Sequence, residues 1–93
     1  MLRITVEQAN APAVLKLEGK LSGPWVSEAG LIWKRLTGDQ PGKKIRVDLS
    51  GVTFVDSKGK QLLKKMLTGQ ADVRDPPLFM RFIMDEMKAA GIR

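Results

Sequence analysis

The chain contains no cysteine, no histidine and no tyrosine. Without cysteine there is no disulfide, thiolate nucleophile, iron–sulfur cluster or thiolate zinc site. Without histidine there is no Ser-His-Asp triad, no imidazole metal ligand and no general base that ordinarily titrates near neutrality. The reactive vocabulary left is Ser, Thr, Asp, Glu, Lys and Arg. The composition therefore leans against an enzyme, and no catalytic residue, metal ligand or cofactor is assigned. Aromatic residues are scarce, two Trp and three Phe, and no Arg-rich helix or aromatic stacking platform supports nucleic-acid binding. No apolar run approaches the ~18–20 residues of a membrane span. The opening Met1-Leu2-Arg3-Ile4-Thr5-Val6-Glu7 alternates and carries an acid, unlike a secretory signal. The expectation is a cytoplasmic protein.

What is present suits one globular domain, 1–93, with 43% apolar and 28% charged residues over 93 positions. The net charge of +6 favours an acidic partner.

Leu2, Ile4 and Val6 alternate with polar neighbours, as in a half-buried strand. Asn10-Ala11-Pro12 reads as a turn. A second strand, Val14 to Leu21, keeps Leu15, Leu17 and Leu21 in phase, hairpin-paired with the first. Gly19 falls in the leucine phase, where a bulge or close backbone approach is expected. Ser22-Gly23-Pro24 opens a helix whose stripe is Trp25, Ala29, Ile32, Trp33 and Leu36, and Gly38 is expected to stop it. Alternation returns from Lys43 to Leu49 and continues loosely through Val52, Phe54 and Val55. Asp56-Ser57 opens a second helix with Leu62, Leu63, Met66 and Leu67 inward, Lys58, Lys60, Lys64 and Lys65 around the rest, and Gly69 closing it. Ala71 to Arg74 is a short strand. Asp75-Pro76-Pro77 opens a last helix, Asp75 as its cap. Its expected core face is Phe79, Phe82, Ile83, Met87 and Ala90, with Gly91 ending it. Leu78, Met80 and Met84 lie off that stripe. They read as deeper packing of this helix, the favoured reading, or as the contact of a homodimer.

The order β-β-α-β-α-β-α implies a hairpin followed by right-handed crossovers and parallel neighbours. Helices should cover one sheet face. Arg3, Thr5, Lys16, Glu18, Arg46 and Asp48 should occupy the other.

Short motifs carry little chemistry. Gly59-Lys60 is not a phosphate-binding loop, because its upstream glycine, Gly51, is three residues too far away and Gln61 replaces the hydroxyl residue. Ser57-Lys58-Gly59-Lys60 fits S-x-x-K, but the companion acyl-enzyme motifs are absent. Asp48 and Asp56 read as a solvated strand acid and a helix cap. The lysines read first as a solvated helix face and second as a docking surface for an acidic protein.

The most informative stretch is Asp48-Leu49-Ser50-Gly51-Val52-Thr53-Phe54-Val55-Asp56-Ser57-Lys58-Gly59. It resembles the signature of the STAS family, the sulfate-transporter and anti-sigma-factor-antagonist domains, in which D-L-S-x-V-x-F runs into D-[ST]-x-G at a helix start. Val14 to Leu21 resembles that family's second strand. The resemblance implies an α/β fold: a single STAS-like domain with a mixed four- to five-stranded sheet flanked by about three to four helices. It also implies a non-enzymatic regulatory module of transcription and signal transduction. Ser57 takes the phosphoacceptor position, and Asp56, Ser57, Lys58, Gly59 and Lys60 form the partner-binding surface. The implied protein partner is an anti-sigma factor or a serine kinase-like protein, bound by the unmodified domain and released by phosphate. Lys58 stands where the family usually has Ser or Thr, and Lys60 where it usually has an apolar residue. Ser57 also reads as a plain cap hydroxyl. A constitutive scaffold or sensor-complex subunit without a phosphoswitch is the alternative from another class. Nucleic-acid binding through the basic second helix is a distant third.

Overall fold

A computed structural model of the chain describes residues 1–8, 12–39, 41–74 and 76–91. Strand β1, Leu2–Glu7, pairs antiparallel with β2, Val14–Leu21. Helix α1, Pro24–Asp39, then returns the chain to β3, Ile45–Val55, which lies parallel to β2. Helix α2, Ser57–Thr68, leads to the short β4, Ala71–Arg74, parallel to β3, and α3 spans Leu78–Gly91. The sheet order is β1-β2-β3-β4. Two successive parallel crossovers therefore place each new strand beside the last, the arrangement that short right-handed connections produce.

The alternation in the sequence sorts the two sheet faces. Leu2, Leu15, Leu17, Ile45, Val47 and Leu49 are buried beneath the helices. Arg3, Thr5 and Arg46 are exposed, and Lys16, Glu18 and Asp48 are half-buried on the opposite face. Gly19 has φ +103, and a side chain there would run into the Met1 carbonyl. That close approach is the one its place in the leucine phase suggests.

Strand β3 is longer and less regular than simple alternation predicts. Lys16 pairs with Asp48, Glu18 with Gly51, Gly19 with Val52 and Lys20 with Phe54. Each of the two register shifts adds one β3 residue, and each extra residue inverts the alternation. The buried series is consequently Ile45, Val47, Leu49, then Val52, then Val55. Phe54 is turned outward and is 50% exposed.

Two helix readings need correction. Helix α1 continues through Gly38 to Asp39, so Gly38 is not its stop. The backbone reverses later, at Gly42, whose φ of +76 suits glycine. In α3 the inward face is Met80, Ile83 and Met84; Met80 is fully buried. Phe79 is on the exposed side, and Leu78 and Phe82 are 71% and 64% exposed. The run Leu78 to Met84 is apolar at all but one position, Arg81, so its periodicity admits two phases. The chain selects one through the Pro77 carbonyl, which accepts hydrogen bonds from the Met80 and Arg81 N–H groups at 2.9 and 3.1 Å. Deeper packing is what Met80 and Met84 do; Leu78 does not share it. The expected cap Asp75 lies outside the described residues, as do the side chains of Met87 and Ala90.

Leu63 on α2 is 1% exposed within the core. Leu63→Ala should lower stability by about 2–5 kcal/mol in urea unfolding. Phe82→Ser should change it by less than about 0.5 kcal/mol. The opposite ranking contradicts the helix phases described.

Candidate functional site

The sheet delivers the carboxyl ends of β2 and β3 to one edge of the molecule. In open sheets with parallel strands, this edge is where ligand and partner sites collect. Leu21 ends β2 and Val55 ends β3 as register partners. Asp56 follows as the N-cap of α2, with φ −87 and ψ −176. An extended residue just before a helix can turn its side chain back onto the first N–H groups.

Asp56 does this with one oxygen and reaches a second helix with the other. Its Oδ1 accepts a hydrogen bond from the Gly59 N–H at 2.7 Å. Its Oδ2 accepts one from the Gly23 N–H at 2.9 Å. Gly23 stands immediately before α1, with φ +56. The Asp56 backbone joins in: its N–H donates to the Leu21 carbonyl at 3.2 Å, and its carbonyl accepts from the Lys60 N–H at 2.9 Å. One residue thus ties the entry of α2 to the end of β2 and the entry of α1. The Gly23 and Gly59 N–H groups hold the Asp56 carboxyl below its ordinary value of 3.8, Lys58 assisting and partial desolvation opposing.

Gly59 lets α2 sit this close. An added Cβ would stand 2.5 Å from the Leu21 carbonyl oxygen and 2.8 Å from Val55 Cγ1. Gly59 is buried, so it serves the turn as a packing position. Ser57, Lys58 and Lys60 are all exposed. The structure brings these candidate residues together around one helix start but assigns them different work. Asp56 is the cap. Ser57 is the first helical residue, which corrects its reading as a cap hydroxyl. Among the described residues the Ser57 hydroxyl has no hydrogen-bond partner.

The upstream part of the signature is structural. Asp48 Oδ1 accepts from the Ser50 N–H at 3.0 Å and from the Ser50 hydroxyl at 2.7 Å. These bonds, hydroxyl first and backbone second, hold the Asp48 carboxyl below its ordinary value, with nearby Lys16 assisting and burial opposing. They clasp β3 at its first register shift.

Beside the turn, α1 and α2 flank an open groove of about 290 Å³. Val26, Gly30 and Leu62 form its apolar part, and Lys58, Gln61 and Lys65 its α2 rim, with Ser27 opposite. Sequence reasoning did not find Gly23, Val26 or Gln61. No local signal links Gly23 to Asp56, 33 residues apart. Among the described residues no three His, Cys, Asp or Glu side chains are grouped to hold a metal ion. No described helix is long and apolar enough to cross a membrane.

A mixed four-stranded sheet with three helices, and a carboxylate-capped turn ahead of α2, define a STAS-type α/β fold. Ten chains of solved structures match it. One, the anti-sigma factor antagonist SpoIIAA in its unphosphorylated form, aligns with a TM-score of 0.69 and 18% identity, over 89% of this chain and 82% of that one. The likeness is one of fold. No family model matches the sequence, and no curated protein matches it significantly.

The lowered pKa values of Asp56 and Asp48 set the direction of the acid response. A carboxyl whose folded pKa lies below its unfolded value adds stability above the unfolded value and loses it as pH falls through the folded one. Wild-type Tm should therefore fall as pH drops below about 4. The Tm deficit of Asp56→Ala should be widest at pH 7 and shrink toward pH 2–3 (about two pH units below the unfolded value at most). A deficit independent of pH contradicts the bridging role. Gly59→Ala should destabilise by about 1–3 kcal/mol at every pH, through overpacking alone.

Proposed function

We propose that this chain is a non-enzymatic protein-binding module of the antagonist type. It presents Ser57, Lys58 and Lys60 to a protein partner, on a turn held by Asp56 and the buried Gly59, and uses Ser57 as a phosphoacceptor. The partner is an anti-sigma factor or a serine kinase-like protein. One observation carries this reading: Ser57 is exposed at the first position of α2, while Asp56 alone satisfies the cap. Its hydroxyl is therefore open to modification without removing any bond that holds the turn. The likeness of fold to an anti-sigma factor antagonist supports the same reading.

The physics of the position is favourable. A helix N-terminus carries a positive partial charge and accepts an anion. A phosphate adds about −1.5 to −2 charge. Placed on Ser57, it alters the contact surface by charge and bulk while the Asp56 bonds hold the fold. Lys58 and Lys60 flank the acceptor and offset part of that charge, by roughly 0.2–1 kcal/mol each for exposed pairs. This blunts the switch, and it is the observation that favours the second reading, a constitutive scaffold with the same fold.

The test is calorimetry with the captured partner at fixed salt. Ser57→Asp should weaken binding, and Ser57→Ala should preserve it while abolishing labelling by the kinase partner. Both variants should lie within about 0.5 kcal/mol of wild-type stability, since Ser57 makes no cap bond. Equal affinities for all three proteins, with no labelling of the wild type, would leave the scaffold.

A further inference from the structure

The groove between α1 and α2 lies beside the Ser57 turn. It combines an apolar floor with a cationic rim. Gly30 keeps it open: the space a Cβ would take there lies 3.7 Å from Leu62 Cδ1, so a longer side chain would fill it. Val26 and Leu62 complete the floor. Lys58 and Lys65 line the α2 side seven residues apart, two helical turns or about 10 Å along the axis. Among the described residues no carboxylate lines the groove. On the α1 side, Leu31 follows Gly30 and is 66% exposed, and Lys34, four residues from Gly30, is exposed as well.

We infer that this groove docks an acidic, apolar-anchored segment of the partner protein. Small apolar side chains settle on Val26 and Leu62 above Gly30, and carboxylates two turns apart meet Lys58 and Lys65. Charge complementarity selects this occupant. A second copy of a chain with net charge +6 brings cations to cations, and a nucleic-acid backbone has no use for the apolar floor. The inference rests on the reading of the Ser57 turn as a partner surface and supplies the partner's chemistry. It also gives the phosphate a mode of action. Gln61 on the rim is four residues from Ser57, so the two share a helix face. A phosphate on Ser57 competes for Lys58 and repels the incoming carboxylates.

The test is a titration of the isotope-labelled full chain with a synthetic peptide, followed by amide chemical shifts. The probe is an amphipathic helix of ~14 residues with Leu on one face and Glu along both flanks; its counterpart carries Lys for Glu. The acidic peptide should shift Gly30, Gln61, Leu62 and Lys65, and the basic peptide should not. Lys65→Glu should weaken the acidic peptide by about threefold to tenfold. Gly30→Leu should block it, with a folded circular dichroism spectrum confirming the variant. The inference is overturned by shifts located elsewhere, by equal binding of both peptides, by an unchanged affinity in Lys65→Glu, or by stronger groove shifts from an oligothymidylate. Ser57→Asp separates the two readings. Groove shifts with unaltered affinity in that variant support the docked acidic segment and count against the phosphoswitch.

Discussion

The two oxygens of the Asp56 carboxylate hold two different N–H groups, and the geometry of the whole site follows. Gly59 is three residues ahead in the same helix; Gly23 belongs to the start of another. A neutral side chain at this point could cap α2, but it would lack a second charged oxygen for Gly23. Charge-assisted bonds of this kind are shorter and stronger than neutral ones. Because the bridge spans 33 residues, it fixes the relation of α1 to α2 as well as the direction of α2. The groove between those helices is therefore as well defined as the turn. Ser57 gains its exposure the same way, since with Asp56 in the cap nothing requires its hydroxyl to turn inward.

The bridge works only because β3 brings Asp56 to the edge in the right orientation. Strict alternation from Ile45 would bury Gly51 and Thr53 along with Val55 and would turn Val52 out to solvent. The first register shift turns Val52 inward instead, and the second restores the phase that buries Val55. Asp48 and Ser50 clasp the first shift, and the second sends Phe54 outward. Val55 then packs beside Leu21, and the pair forms the seat that Gly59 closes on. The stretch from Asp48 to Gly59 is thus one mechanical unit: a clasp, two bulges, a bridge and a packed glycine, ending beside an exposed hydroxyl.

Most of the fold was legible because period and punctuation agreed. Leu15, Leu17, Val47 and Leu49 alternate, while Ala29, Trp33 and Leu36 step by three and four, and all of them are buried. The expected hairpin and both parallel crossovers are present. Legibility failed where a local signal was degenerate or a contact was distant. An almost wholly apolar first half of α3 admits two helix phases, and the ranking of Phe above Met as a core residue chose the wrong one. Gly38 carries a stop signal that α1 overrides, since burial of Trp33 and Leu36 stabilises the helix beyond the propensity of one exposed glycine. At the site, the cap and the exposed serine were visible in the order Asp-Ser, whereas Gly59, expected on the partner surface, packs inward against Leu21 and Val55. The partner of the second Asp56 oxygen was not visible, because nothing near Gly23 in sequence announces a contact across two elements.

The central claim is that one ionised Asp56 carboxylate holds both helix entries and leaves Ser57 free. Its most direct test is an NMR pH titration that follows the Asp56 carboxyl carbon together with the Gly23 and Gly59 amide protons. The account predicts that all three move with one common midpoint below the ordinary 3.8, while the Ser57 amide follows only weakly. Separate midpoints for Gly23 and Gly59, or a common midpoint at or above the ordinary value, would contradict it.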